Sequence, residues 1–320
     1  MISVTFSPSV DYEGGFFEGY LMSATTNHKE NVAIIGLGRA GTAIGYLLRQ
    51  AGYPIVAVAS RSHASLQDRI RYTGGRAFTA DAYAEAASLA TCIFITTPDD
   101  SIAPVCREIA QKGGFKPGDK VIHMSGAGGL DLLEPARKAG AMVACIHPIQ
   151  SFADVEGAIR NILLSTFGIV ADEGLRCWSA GLVRELGGIP FEVPEAIKPL
   201  YHAAACMASN YLATLIHTVE EIYLSLGLNR DEAMRTFWPL VSGTLKNIET
   251  SGSIQALTGP ISRGDAGTIE QHIRVFREKL PAYLPVYCAM GLLTVDLAMK
   301  KRTLPPERAE IIKKILKGGG

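Results

Sequence analysis

Residues 31–48 read Asn31-Val32-Ala33-Ile34-Ile35-Gly36-Leu37-Gly38-Arg39-Ala40-Gly41-Thr42-Ala43-Ile44-Gly45-Tyr46-Leu47-Leu48, and beyond Gly52 the chain continues Pro54-Ile55-Val56-Ala57-Val58-Ala59-Ser60-Arg61-Ser62. A short apolar run ends in a glycine-rich turn, after which Ala43, Ile44, Leu47 and Leu48 recur at helical spacing. Gly52 stops that helix and a second apolar run follows. The bland reading is an ordinary strand-to-helix turn, and it is the flanking strand and helix that favour a cofactor. Three glycines spaced as Gly36, Gly38 and Gly41, between a first strand and a first helix, fit a dinucleotide-binding turn.

Each glycine has its own task in that reading. Gly36 permits the turn off the strand, Gly38 lets a phosphate approach bare backbone, and Gly41 lets the helix pack on the sheet. The pyrophosphate is expected on the amides of Gly36, Leu37, Gly38, Arg39, Ala40 and Gly41, at the helix N-terminus. Where an NAD site carries an acid after the second strand, this chain has Ser60-Arg61-Ser62 and no carboxylate before Asp68. A guanidinium flanked by hydroxyls suits a ribose phosphate, so the expected cofactor is NADP(H). The bland reading of Arg61 is a solvated surface arginine.

Composition narrows the function classes. The 320 residues hold 31 basic and 31 acidic side chains, which gives no electrostatic case for a nucleic-acid partner. Six scattered cysteines form no Cys-x-x-Cys pair, so neither a metal site nor a disulfide framework is expected, and a cytoplasmic location follows. Residues 1–30 lack sustained periodicity and the pattern of a signal peptide. They read as a disordered or artefactual extension, with Met22 an alternative start. No apolar run reads as long enough for a membrane span.

Strands ending at Thr97-Pro98, at Met124 and at Ile146 each deliver polar residues to one edge. Asp99, Asp100 or Ser101 is expected to cap the helix after Pro98. Ser125-Gly126-Ala127-Gly128-Gly129 places a hydroxyl before flexible backbone; an incidental serine in a glycine loop reads equally well. His147-Pro148 offers an imidazole at a strand end, either for proton transfer or as a buried histidine bonded to backbone. The sheet domain is expected over residues 31–194, and beyond Pro194 the periodicity is helical. Glu195 to about Leu226 reads as one long helix, with others near Arg230–Glu249, Ala266–Phe276 and Pro281–Arg302, and a basic, solvated end from Lys313. Lys198, His202, Cys206 and Asn210 recur at i+4 steps with Ser209 beside them. The stripe either lines a wet cleft or bonds the loops of the first domain. Asn247 and the loop Leu257-Thr258-Gly259-Pro260-Ile261-Ser262-Arg263-Gly264-Asp265 add a cation suited to a carboxylate or phosphate, or a surface arginine beside a capping acid.

In order along the chain, Gly36-x-Gly38-x-x-Gly41, Thr97-Pro98-Asp99-Asp100, Ser125-Gly126, His147-Pro148-Ile149-Gln150-x-Phe152, Tyr201-His202-x-Ala204-Ala205 with Ser209-Asn210, and Leu257 to Asp265 resemble a bacterial two-domain family. Its members are described as a Rossmann-like domain followed by a C-terminal domain of unknown function. The resemblance spans about residues 31–295, and some members are assigned as ketopantoate reductases. The wider group comprises 6-phosphogluconate and beta-hydroxyacid dehydrogenases, pyrroline-carboxylate reductases and prephenate dehydrogenases.

The resemblance implies an α/β fold, with a doubly wound Rossmann domain followed by an all-α domain of the 6-phosphogluconate dehydrogenase C-terminal-like type at 195–320 that binds substrate and forms a homodimer. By that analogy Ser125-Gly126 matches a serine-glycine loop near the substrate, Lys198 a helical catalytic lysine, Ser60-Arg61-Ser62 an NADP-selecting turn, and His147-Pro148 a prephenate dehydrogenase motif. Read from the residues themselves, His202, Ser125, Asn210 and His147 join Lys198 as catalytic candidates, Thr97, Pro98 and Ser125 join the cofactor contacts, and Ser125, Gly126, Ser209, Asn247 and Arg263 are the candidate substrate contacts. Gly126-Ala127 replaces a doubled glycine and Gln150-Ser151 a prephenate-type glycine, which leaves the small-molecule substrate open. The expectation is an NADPH-dependent reductase of a 2-oxo acid, ketopantoate first. The alternatives are a C=N reductase, a prephenate-type dehydrogenase, or a non-catalytic NADP sensor.

Overall fold

The computed structural model describes residues 29–319. Most of the expected extension, Met22 included, lies outside them. Its last two residues belong to the sheet domain: Lys29 pairs with Glu185, and Glu30 Oε1 accepts from Lys120 Nζ at 2.8 Å and from Trp178 Nε1 at 3.0 Å. The chain divides between His202 and Ala203, beyond the expected boundary at Pro194. Glu195, Lys198 and Tyr201 hydrogen-bond to loops and strands of the sheet, which ties the start of the helical stretch to the first unit.

The first unit runs β1 (Val32–Ile35), α1 (Arg39–Gln50), β2 (Ile55–Ala59), α2 (His63–Thr73), β3 (Arg76–Phe78), α3 (Tyr83–Ser88), β4 (Cys92–Ile95), α4 (Asp99–Gln111), β5 (Lys120–His123), α5 (Glu134–Lys138), β6 (Met142–Pro148), α6 (Val155–Ile162), β7 (Thr166–Ala171), α7 (Arg176–Glu185), β8 (Ile189–Glu192) and the start of α8 (Lys198–Cys206). The strands form one sheet ordered 3-2-1-4-5-6-7-8, parallel except where β6 meets β7. β1 and β4 are buried along their whole length, as unbroken apolar runs must be when helices cover both faces. Val32 and Ile34 join α1 residues Ala43, Ile44, Leu47 and Leu48 in one core. Ala33 and Ile35 join Ile102, Cys106 and Ile109 of α4 in the other. Opposite helices served by alternate residues of one strand make the sheet doubly wound.

Register decides where the site can be. Ile35 lies opposite both Ala59 and Ile95, Ile95 opposite His123, and His123 opposite Cys145. The Gly36–Gly41 turn, Ser60–Ser62, Thr96–Asp99 and Ser125–Gly129 therefore leave the sheet at one edge. The order reverses between β1 and β4, which is where a doubly wound sheet opens a crevice.

The second unit completes α8 and adds α9 (Leu212–Ser225), α10 (Arg230–Ala256), α11 (Pro260–Arg263), α12 (Ala266–Lys279), α13 (Leu284–Lys301) and α14 (Pro306–Gly319). The expected single helix from Glu195 is a 3-10 turn, α8, a π-helical turn at Met207–Tyr211 and α9. α10 outruns its expected end at Glu249 and contains Gly252 at φ 75°. The end from Lys313, read as solvated, is the second half of α14, and its Leu316 enters a core with Ala309 and Ile312 of the same helix and Val295 and Ala298 of α13. Pro281–Lys301 is long and apolar enough to cross a membrane by length and composition, which corrects the reading of no such run. Within its unit the same segment turns Leu284, Cys288, Gly291, Val295 and Ala298 inward.

Candidate active site

The three glycines of the first turn differ in their surroundings. A Cβ at Gly36, which sits at φ 108°, would come within 2.7 Å of Thr97 N, and one at Gly41 would fall on Gly36 O and Thr96 Oγ1. Those two positions are closed by the protein itself. Around Gly38 a Cβ would meet nothing within 4 Å. That bare Cα faces open space at the head of α1, a helix with no side-chain cap and no acid in its first turn. Its N-terminal amides and partial positive charge are available to an anion. Thr97 Oγ1, on the neighbouring β4 turn, is buried without a hydrogen-bond partner.

The turn is also held from outside. Gly36 N and Leu37 N both donate to Ala59 O, at 2.8 and 3.1 Å, and Thr96 Oγ1 donates to Gly36 O at 2.7 Å. Arg69 donates to Leu37 O at 2.8 Å, and Arg39 reaches Phe152 O at 3.5 Å. Past β2, Ser60 is buried and accepts from Ser62 N at 3.3 Å, while Ser62 Oγ accepts from Ser65 N at 3.2 Å and caps α2. Arg61 between them is exposed. Pro98 is exposed and is the N-cap residue of α4.

The second cluster surrounds residues 125–129. Ser125 Oγ donates to Asp99 Oδ2 at 2.8 Å and accepts from Gly128 N at 2.8 Å, so the hydroxyl is spent on the loop's shape. Asp99, expected as a helix cap, makes no such bond: α4 has no side-chain cap and Asp99 reaches across to β5's loop. Lys198 is only 1% exposed. Its ammonium donates to Ser125 O at 2.7 Å and to Gly128 O. Cys145 Sγ donates to Ser125 O at 3.2 Å and Glu195 Oε1 accepts from Leu130 N at 2.7 Å. A buried cation on two loop carbonyls turns them inward and fixes the loop. Lys198, expected to meet substrate, thus holds Ser125 to Gly128 in place.

Two imidazoles flank this loop on its protein side. His123 Nδ1 accepts from Ser125 N at 3.1 Å, which makes Nε2 the protonated nitrogen and its 3.1 Å contact with Gly129 O a donated bond. His147 Nδ1 lies 3.0 Å from the Tyr201 hydroxyl. Burial, followed by the positive charge of Lys198, lowers both histidines to about 4. They are neutral at pH 7. The His147 and His202 rings meet edge to face with centroids 5.8 Å apart. Gly126 is buried against them: a Cβ there would strike the His202 ring and approach His147 Nε2 to 2.9 Å.

Of the residues singled out in the sequence, the structure brings Ser125, Gly126, His147, Lys198 and His202 together. Sequence reading missed Asp99, taken as a cap, and Tyr201, taken as part of an apolar run; its place three residues after Lys198 was the available signal. The remaining candidates belong to the second unit. Ser209 and Asn210 lie exposed in the π-helical turn, where the Asn210 carbonyl accepts from Thr214. Asn247 is exposed on α10 and its carbonyl accepts from Ser251. Arg263 pairs with Asp265 at 2.9 Å, and Asp265 makes no cap bond.

No protein of curated function matches the sequence. Among solved structures, a Bacteroides fragilis protein described as a candidate NADP oxidoreductase is 19% identical, with 89% of this chain and 98% of that one covered and a TM-score of 0.65. A reductive aminase from Aspergillus terreus, solved with NADPH and ethyl levulinate, is 15% identical over 90% of this chain and 99% of that one, at a TM-score of 0.58. A pyrroline-5-carboxylate reductase from Coxiella burnetii is 18% identical over 90% and 99%, at 0.54. At these identities the likeness is one of fold. Residues 21–148 match the family model of a Rossmann-like domain and residues 165–294, from the last strands of the sheet into the helical unit, that of a domain of unknown function (DUF2520), so the chain is a Rossmann-like sheet domain followed by a helical domain, with its later part similar to that family.

Proposed function

We propose that the protein is an NADP(H)-dependent reductase of a small molecule with a C=N or C=O bond. The observation that carries the cofactor half is the open Cα of Gly38 at the uncapped head of α1, set at the sheet's switch point. The amides of Arg39, Ala40 and Gly41 would hold the pyrophosphate beside the bare Cα of Gly38; the amides of Gly36, Leu37 and Gly38, also expected there, are spent within the fold on Ala59 O and Gly36 O. Thr97 Oγ1 offers a buried hydroxyl without a partner, and Arg61 with Ser60 and Ser62 would take the ribose phosphate. When bound, such a cofactor supplies or accepts a hydride.

The chain's own residues do the rest. Lys198 holds the Ser125–Gly128 loop rigid through two carbonyls, and Asp99 anchors it through Ser125. His147 is neutral at pH 7 and so acts as a hydrogen-bond donor or acceptor rather than as a cation. His202 stands beside it over Gly126. Asn210, Ser209, Asn247 and Arg263 of the helical unit remain candidates for binding substrate polar groups. The ketopantoate expectation gains no support from the comparisons, whereas the C=N alternative matches the reactions named for two of the similar structures. We therefore place imine substrates first and 2-oxo acids second.

A homodimer through the helical unit is part of the same reading. α10 runs for 27 residues with only Ala233 and Phe237 buried, far too little packing for a helix that depends on tertiary contacts. Fluorescence titration with NADPH and NADH, followed by a panel of cyclic imines and 2-oxo acids scored by NADPH consumption, tests the proposal. Tighter binding of NADPH and turnover of one class are expected. Equal affinity for the two coenzymes would overturn the cofactor reading, and tight binding without turnover would leave a cofactor sensor.

A further inference from the structure

His147 is the member of the cluster whose proton position decides what the site can recognise, and a residue outside the expected set controls it. Tyr201 stacks on Phe191 with ring centroids 6.4 Å apart and sets its hydroxyl directly over the bare Cα of Gly168, the residue paired with His147 across β6 and β7. Any side chain at Gly168 would occupy the space of the phenol oxygen. That oxygen has two polar neighbours, the backbone of Gly168 and His147 Nδ1, the latter 3.0 Å away. A phenol is the stronger donor of such a pair and an imidazole nitrogen the stronger acceptor, so the proton lies between them as O–H donating to Nδ1. Burial keeps the Tyr201 proton in place by pushing the phenol up to about 12.

We propose that Tyr201 is a positioning residue that locks His147 as the neutral Nε2–H tautomer, so that the site presents a donor beside Gly126 and selects a substrate atom with a lone pair. An imine nitrogen and a carbonyl oxygen both qualify; a hydroxyl or ammonium group that must itself donate does not. The groups facing His147 agree with a neutral ring. Lys198 and His202 from α8 disfavour added positive charge, Asp99 at the start of α4 partly offsets them, and His123 on β5 is itself neutral. Gly126 completes the device, since only a residue without a side chain lets the loop pack against His147 Nε2 and the His202 ring.

The choice of a lone-pair substrate rests on the reductase reading, but the tautomer is tested without cofactor or substrate. Imidazole nitrogen NMR of the full-length, nitrogen-15-labelled protein, with the His147 signals assigned by loss in His147→Asn, reports which nitrogen carries the proton. The wild-type protein is expected to show His147 as the Nε2–H form alone from pH 8 down to about pH 5, and Tyr201→Phe to show a mixture of both tautomers. A wild-type Nδ1–H form overturns the proposal whether or not the variant folds. An unchanged His147 spectrum in folded Tyr201→Phe overturns it as well. Failure of NADPH to bind would sink the reductase reading and leave these spectra as informative as before.

Discussion

Gly38 and Gly41 stand in one turn, yet a methyl group added at each meets a different fate. At Gly41 the new carbon would fall on Gly36 O and on Thr96 Oγ1, atoms of a turn that cannot retreat. Gly41→Ala is expected to destabilise the sheet unit by about 1–3 kcal/mol, the usual cost of overpacking, read as a lower urea midpoint. Gly38→Ala has open space around it and a φ of -78° that alanine adopts freely. Its stability should stay within about 0.5 kcal/mol of wild type, while NADPH binding weakens roughly tenfold or more, because the methyl fills the room a phosphate needs. Equal binding by Gly38→Ala and wild type would detach that turn from the cofactor.

His123 supplies a second test at the same scale. It is fully buried and lowered to about 4 from 6.5, chiefly by burial. An unfolded chain takes up a proton below about pH 6.5, whereas the folded one resists until about pH 4, so stability falls as pH drops through that window. The loss from this one group is about 3 kcal/mol at 1.36 kcal/mol per pH unit. Urea unfolding followed by Trp178 fluorescence in a Trp238→Phe background should show a smaller acid-dependent loss for His123→Gln. An identical loss would remove His123 as the titrating group.

Among the elements, α2 shows how one residue can serve fold and recognition together. Ser62 caps the helix by accepting from Ser65 N, and it stands next to Arg61. Aspartate caps as well as serine, so Ser62→Asp should leave the melting temperature unchanged. It places a negative charge where a ribose phosphate would dock, and the NADPH-to-NADH affinity ratio should fall by roughly tenfold or more, the loss of a charge-assisted bond together with repulsion. A preserved ratio would move the phosphate site elsewhere.

Which elements were legible in the sequence has a physical pattern. β1 and β4 are unbroken apolar runs because both faces are covered, and the glycine turn is local chemistry, so both could be read directly. α6 and α14 were not: each spreads a narrow apolar stripe through polar residues, and in α14 the lysines masked Ile312 and Leu316. Leu316 packs closely where Gly291 of α13 has no side chain. Leu316→Ala is expected to cost about 2–4 kcal/mol, and a silent substitution would mean α14 is not part of that core. Lys198 and His202 stood out as a polar stripe, but nothing in the spacing told that the ammonium would be spent on two carbonyls, nor that the Asp99 carboxylate would reach from the start of α4 to hold Ser125. Those bonds join segments far apart in sequence and arise only once β4, β5 and α8 are in register.

At the scale of the whole molecule, the distribution of apolar surface argues for association. α10 exposes Trp238, Leu240, Leu245, Ile248 and Ile254, with Leu240 71% exposed, and α9 adds Leu212 and Leu215. Single exposed leucines are ordinary, whereas a long helix bare along most of its length is a surface suited to a partner. A second copy of the chain is the partner proposed here, since the sequence resembles a group whose helical domains pair. Sedimentation equilibrium should give twice the chain mass of 34.2 kDa. Leu240→Glu combined with Leu245→Glu places two charges on that helix and should yield the monomer mass. Hydrogen exchange should then show α10 opening while β1 and β4 stay protected, because their cores lie within the first unit and owe nothing to the partner. A wild-type protein that sediments as a monomer with α10 fully protected would break the link between exposed surface and pairing, and would require the helix to be stabilised from within its own chain.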